Sequence, residues 1–287
     1  MKPLPRILTR RLATAPLPAL TLRSPSPLLR PLHPPAAAPA PDDFVLYPSF
    51  LSEDEQDVLV RMALSKLGRS RAGAARRARR QRAGAGVAAD GSGNGLQRLF
   101  TGEYAFEEGH YDSVIHGYRE SLLSTLPPSP HPLLAPTLRR IYSLFFSSLP
   151  ALPHSTTHTE TPLPPAGTLT HILHLSPTGA ILPHVDNLEA SGRVILGVSL
   201  GAERTLRLRR KLRDGAGVEK GESTGEKGWE VRLGSGSVYI QRDAIRYGYE
   251  HSILPFDDPS SIWDGERLEP GHRISIMIRD VPPKPDL

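Results

Sequence analysis

No cysteine occurs anywhere in the 287 residues, which removes disulfides, thiolate metal sites and cysteine nucleophiles at one stroke. A metal held by this chain has to be held by nitrogen and oxygen. Long apolar runs are missing as well: no stretch approaches the roughly 18 residues that suggest a membrane-crossing helix. Acidic residues are absent from positions 1–41, where Lys2, Arg6, Arg10, Arg11, Arg23 and Arg30 stand unopposed. The formal charge of +5 therefore resides in that leader, and the remainder carries 29 basic against 30 acidic residues. Aromatic residues make up only 6% of the chain, too few to interleave basic stretches as base-stacking surfaces do.

Proline is abundant, at 30 residues, and many lie in the leader. With its prolines, hydroxyl residues (Thr9, Thr14, Thr21, Ser24, Ser26) and the segment "RILTRRLATA", which can form a short helix with one basic face, 1–41 has the features of a mitochondrial transit peptide and is expected to be disordered. The expected destination is the mitochondrial matrix. Residues 42–282 are expected to form one domain, since 38% apolar residues supply one well-packed core and hardly two. Residues 283–287 are a C-terminal tail, and the protein is expected to be a monomer.

Within that domain, Ser52 and Glu55 have the spacing of a capping box, and the apolar residues after them recur at helical period, so a helix is expected over 52–67. Residues 68–98 then form a low-complexity insert with eight arginines and one acid. Clustered arginines can bind RNA phosphates by counterion release. Without interleaved aromatics, a solvated loop expansion describes the insert better, and the body excluding it is acidic, with 21 basic against 29 acidic residues. Downstream, "YAFEEGHYDSVIHGYRESLLSTL" and "PLLAPTLRRIYSLFFSSL" both read as mainly helical.

The period then changes. "TLTHILHLS", "GRVILGVSLG", "RTLRLRRKL", "WEVRL", "GSVYIQR" and "GHRISIMIRD" read as short strands between turn residues, with 213–228 as a long exposed loop. Helices first and strands later give an α+β, mainly β fold: a double-stranded β-helix, or jelly roll, with helices buttressing one face.

Two His-x-Asp patterns compete for a chemical role. His110-Tyr111-Asp112 precedes an expected helix, where Asp112 serves as an N-cap. In His184-Val185-Asp186, alternation along an extended segment puts both side chains on one face, able to address one ion. A third ligand comes from another strand, and His251 in "RYGYEHSIL" suits that better than His272, which alternation groups with Ile274, Ile276 and Ile278. His171 and His174 read as core or rim histidines, either of which could line the pocket. Two histidines and a carboxylate with open positions form the facial triad of non-haem Fe(II) oxygenases, with zinc still possible from the ligands alone.

The last strand tips the balance towards iron. Arg273, Ser275, Met277 and Arg279 share a face, and two inward arginines require anionic partners. An arginine fork suits the far carboxylate of 2-oxoglutarate, with the keto acid end left for the metal. Tyr239 can offer its hydroxyl to the same carboxylate.

His184-x-Asp186, His251 and Arg273-x-Ser275-x-Met277-x-Arg279 together resemble the signature of the AlkB-like Fe(II)/2-oxoglutarate dioxygenases. "HYDSVIHGYRE", "RYGYEHSIL" and "GERLEPGHRISIMIR" are similar to its mitochondrial branch. The resemblance covers about 42–67 and 100–282. It implies a double-stranded β-helix, Fe(II) on His184, Asp186 and His251, and 2-oxoglutarate on Arg273 and Arg279 with Tyr239. It also implies a mitochondrial address and no extended nucleotide-gripping lid. The expected substrate is a protein or other non-nucleotide molecule; RNA demethylation and a non-catalytic binding module are the alternatives.

Overall fold

The computed structural model describes residues 18–32, 42–69, 95–109, 113–128, 131–150, 162–189, 191–211 and 227–281. Most of the basic insert (70–94), most of the 213–228 loop and the tail beyond 281 lie outside these residues. So does Asp112, with the rest of the earlier His-x-Asp.

Helix α1 (Glu53–Arg69) begins where its capping box predicts. The Ser52 N–H donates to Glu55 Oε2 at 2.9 Å, and the Glu55 N–H donates back to Ser52 Oγ at 3.3 Å. Glu53, Asp54 and Glu55 put negative charge on the N-terminal end of the helix dipole. Helix α2 (Leu134–Ser147) buries Leu134, Leu138, Ile141 and Phe145, the stripe that its period of three and four predicts. Arg140 of α2 donates to Glu55 Oε1 at 2.6 Å and to the Phe50 carbonyl at 2.8 Å, locking the two helices together. No helix among the described residues is long and apolar enough to cross a membrane.

The strands are β1 (Leu20–Thr21), β2 (Leu29–Pro31), β3 (Phe44–Tyr47), β4 (Glu107–Gly109), β5 (Ile115–Leu122), β6 (Thr168–His184), β7 (Val194–Gly201), β8 (Arg204–Arg210), β9 (Gly228–Leu233), β10 (Val238–Arg242), β11 (Tyr249–Ile253), β12 (Ile262–Trp263), β13 (Glu266–Arg267) and β14 (Arg273–Asp280). A six-residue helix, α3 (Asp243–Gly248), joins β10 to β11. All but β12 and β13 belong to one curled antiparallel sheet, ordered β1-β3-β10-β7-β14-β6-β11-β8-β9-β2, with β5 and β4 branching from β6. The 17-residue β6 produces the curl. β5 pairs along one edge of it from His171 to Ile181, while on the other edge its first part pairs with β14 and its end with β11. The result is a jelly roll of two facing layers.

Alternation on β14 separates the two faces of the first layer. Ile274, Ile276 and Ile278 pack outward with Val198, Leu200 and the buried faces of α1 and α2. Arg273, Ser275, Met277 and Arg279 face the interior between the layers, where Leu173, Leu175, Leu206, Leu208, Val231 and Tyr239 are buried.

Two expectations are corrected. The described residues of 104–126 are not helical: after a short 3-10 turn (Gly95–Leu99), β4 and β5 pair antiparallel, and β5 runs along β6. Val114, Ile115, Tyr118 and Leu122 imitate a helical stripe, but pairing with β6 satisfies their backbone and buries Tyr118. Gly117, at φ +60°, takes up a register shift there; a Cβ on it would meet Ser176 Oγ at 2.7 Å. The described residues that follow Asp112 lead into strand β5 from Ile115, in place of the expected helix.

Nor is the leader unstructured throughout, because residues 18–32 belong to the sheet. β1 pairs with β3 on one layer and β2 with β9 on the other, so the segment straps the two layers together. Leu20, Leu22, Leu28 and Leu29 pack against the interior core. Arg30 donates from Nε to the buried Glu230 at 2.7 Å and to the Ile262 and Ser260 carbonyls, with its guanidinium 4.1 Å from the Trp263 ring centroid. Burial of leucines and completion of two sheet edges outweigh the Pro-rich composition that suggests disorder.

Candidate metal centre

The end of β6 and the middle of β11 meet with His184 directly opposite His251. Their rings lie 4.2 Å apart, centroid to centroid. Asp186 follows β6 by two residues and turns its carboxylate between them, with Oδ1 3.2 Å from His184 Nε2 and 3.7 Å from His251 Nε2. The three donor atoms all lie within 4.8 Å of one another. With Nδ1–H donating to the Leu182 carbonyl at 2.9 Å, a neutral His184 ring keeps its lone pair on Nε2, the atom that faces Asp186. Three Lewis bases of the nitrogen and oxygen type converge on one point, and such a donor set suits a divalent transition metal.

The electrostatics favour the ligating forms of Asp186 and His251, while the Asp186 charge lets His184 hold a proton until a metal displaces it. Burial pushes the Asp186 carboxyl up, but His184, His251 and Arg279 around it outweigh burial and hold it far below the usual carboxylate range. Burial lowers His251 to about 3, the Asp186 charge opposing, so this ring is neutral at physiological pH. His184 is raised: burial opposes a proton there, and contacts to Asp186 and the Leu182 carbonyl overcome it. An anionic carboxylate and a neutral imidazole are the forms that bind metal.

The inward face of β14 delivers the arginines to two different surroundings. Arg279 donates from Nε to Asp186 Oδ2 at 2.9 Å, with a second contact from its terminal nitrogen at 2.8 Å. Arg273, 1% exposed, donates from Nε to Ser199 Oγ at 3.2 Å, and one terminal nitrogen has no partner. Burial lowers its pKa, the neighbouring Tyr239 opposing. Burial raises that of Tyr239, opposed by the Arg273 charge. Tyr239 reaches this interior because Gly197 lies opposite on β7; a Cβ at Gly197 would sit 2.3 Å from the phenol ring. Ser275 is buried two residues from Arg273 on the same face.

His171 lies opposite Met277 on the inward face, its pKa lowered first by burial and then by the nearby Arg279, with Asp186 opposing. His174 and His272 are elsewhere, on the outward face. There His174 Nε2 meets His272 Nδ1 at 3.1 Å, Arg119 donates to His174 Nδ1 at 2.9 Å, and Phe100, Tyr104 and Phe106 enclose the rings.

The sequence assigns no role to two further residues near the site. Gln241, on the inward row of Arg279, is buried with its Nε2 unpartnered. Arg246 of α3 reaches the chain around Asp186 from behind. Alternation along "GSVYIQR" puts Gln241 on the Tyr239 face, whereas nothing about Arg246 marks it before the fold is known.

Residues 43–279 match the 2OG-Fe(II) oxygenase superfamily. The chain is similar to the alpha-ketoglutarate-dependent dioxygenase alkB homolog 7, mitochondrial, of Mus musculus, with 28% identity over 241 residues, covering 84% of this chain and 80% of the relative. The protein of the same name from Bos taurus is 30% identical over 177 residues, which is 62% of this chain and 66% of the relative. Among solved structures, a prolyl-4-hydroxylase from Pseudomonas putida aligns with a TM-score of 0.41 and 12% identity, over 83% of this chain and 91% of that one. This chain belongs to the 2OG-Fe(II) oxygenase superfamily and is a 2-oxoglutarate-dependent dioxygenase, with Fe(II) and 2-oxoglutarate as its cofactors.

Proposed function

We propose that His184, Asp186 and His251 hold the Fe(II), that Arg273 with Tyr239 and Ser275 holds the far carboxylate of 2-oxoglutarate, and that Arg279 fixes the Asp186 carboxylate and offers its remaining donors to the near end. The convergence of three donor atoms within 4.8 Å carries the metal assignment. The unpartnered terminal nitrogen of the buried Arg273 supports the carboxylate site, because a buried guanidinium gains most from an anion that completes its hydrogen bonds.

When bound, iron and 2-oxoglutarate supply the oxidising power, consuming O₂ and releasing succinate and CO₂. The chain supplies position. Asp186 stays ionised under the influence of His184, His251 and Arg279. Leu173 and Leu175 on β6 and Leu206 and Leu208 on β8 keep water from the interior.

The substrate is a protein or another non-nucleotide molecule, hydroxylated at a C–H bond in the mitochondrial matrix. Support comes from the acidic body of the chain and from the relatives, which are named mitochondrial. Residues 1–17, with Lys2, Arg6, Arg10 and Arg11 and no acid, provide the targeting sequence. Incubating the enzyme with a matrix protein fraction and with methylated RNA separates the possibilities. Succinate release stimulated by the protein fraction, with a 16 Da gain on a target, is expected. Stimulation by methylated RNA with formaldehyde release would contradict it.

A further inference from the structure

Arg246 is 2% exposed, and among the described residues its hydrogen bonds go to neutral acceptors on one short segment. Its terminal nitrogens donate to the Asp186 carbonyl at 3.2 Å, the Asn187 carbonyl at 3.4 Å, the Ser191 carbonyl at 3.5 Å and Ser191 Oγ at 2.7 Å. Nε has no partner. A buried cation without a directly bonded carboxylate is costly to keep. Here its bonds all serve to hold the turn that carries Asp186.

The same turn is tied a second time to the same helix. Arg193 donates to the Asp243 carboxylate at the start of α3, while the Arg193 and Val194 N–H groups donate to Asp280. Asp243 adopts φ +47°, which turns the chain from β10 into α3. Helix α3 leads directly into β11 and His251. The turn that carries Asp186, two residues beyond His184, is thus held by Arg246 to the short helix that runs into β11, two residues before that strand reaches His251.

We propose that Arg246 is a positioning residue for the metal centre. It sets the direction of the Asp186 carboxylate relative to His251 by clamping the 186–191 turn onto α3. This rests on the ligand assignment proposed above. A residue that only stabilises the fold would affect stability alone. A residue that sets donor geometry also changes metal affinity, typically by about 10- to 100-fold when such a support is removed.

The test uses metal-free full-length protein, with Mn(II) as a redox-silent probe titrated by calorimetry and the melting temperature read in parallel. Arg246→Met is expected to weaken Mn(II) binding about 10-fold, and Arg246→Lys less. Arg204→Met is the control. Arg204 is equally buried and also bonds to carbonyls, those of Ser176, Pro177 and Gly271, but it does not touch the 186–191 turn. It is expected to lower the melting temperature and leave Mn(II) affinity unchanged. Wild-type affinity in Arg246→Met, or an equal loss in Arg204→Met, would overturn the proposal. If Arg246→Met does not fold, Ser191→Ala removes the shortest of the bonds. An affinity about threefold weaker is then expected, and an unchanged one overturns the proposal. Failure of the wild type itself to bind Mn(II) would overturn the ligand assignment as well as the role of Arg246.

Discussion

Arg279 and Asp186 form a buried ion pair, with two guanidinium nitrogens on one carboxylate oxygen at 2.9 and 2.8 Å. Arg273, six residues away on the same strand face, has no such partner. The two arginines of one motif therefore stand differently: one is paired to a carboxylate, and the other keeps a buried terminal nitrogen without a partner, which under the proposed assignment is met by an anion.

The two substitutions should separate accordingly. Arg279→Met strands the Asp186 charge and is expected to cost about 3 kcal/mol of metal-free stability. Arg273→Met removes a poorly satisfied buried cation and is expected to cost little stability, yet to weaken 2-oxoglutarate binding by about 100-fold. Urea unfolding and 2-oxoglutarate titration on both variants check the pair. A large stability loss in Arg273→Met with unchanged 2-oxoglutarate affinity would reverse the assignment.

The N-terminal strap gives a second prediction. Removing residues 1–17 is expected to leave the melting temperature unchanged. Removing 1–41 exposes the edges of β3 and β9, uncovers the core beneath Leu20, Leu22, Leu28 and Leu29, and leaves Glu230 with Arg207 alone on this side. That truncation should unfold at markedly lower temperature. Arg30→Met by itself should cost about 1–3 kcal/mol, measured by denaturant unfolding.

A third prediction concerns acid. Burial lowers His272 to about 4 and holds His174 well below its ordinary value, the Arg119 charge adding to the effect in both. As pH falls below about 6.5, the unfolded chain takes up protons that the folded rings refuse, so stability declines towards pH 4. His171 and His251 act in the same direction, and the raised His184 in the opposite one. Unfolding of the metal-free protein between pH 7.5 and 4.5 should show the decline, with a shallower slope in His272→Phe, whose ring keeps the packing against Phe100 and Phe106. An unchanged slope would remove His272 from the account.

What the sequence reveals here depends on how local the controlling interactions are. The Ser52–Glu55 box, the α2 stripe and the period-two strands β6–β11 and β14 act over a few residues, and each is legible as written. His184, Asp186 and His251 are legible for a related reason, since alternation determines which side chains share a face. The β4–β5 pair is hidden because its spacing suits a helix and only the partner β6 decides otherwise. Residues 18–32 are hidden because their partners, β3 and β9, lie far along the chain. Arg246 is hidden most thoroughly, since its acceptors are 55 to 60 residues away and mostly backbone carbonyls, which leave no compositional trace.

One measurement bears most directly on the central claim. Residues 18–287 are loaded anaerobically with Fe(II), O₂ is admitted with 2-oxoglutarate, and succinate is quantified beside an Asp186→Ala variant whose fold is verified by circular dichroism. Succinate formed by the wild type and absent from the variant is the expected result. Equal succinate from both proteins would contradict the assignment of His184, Asp186 and His251 as the metal centre.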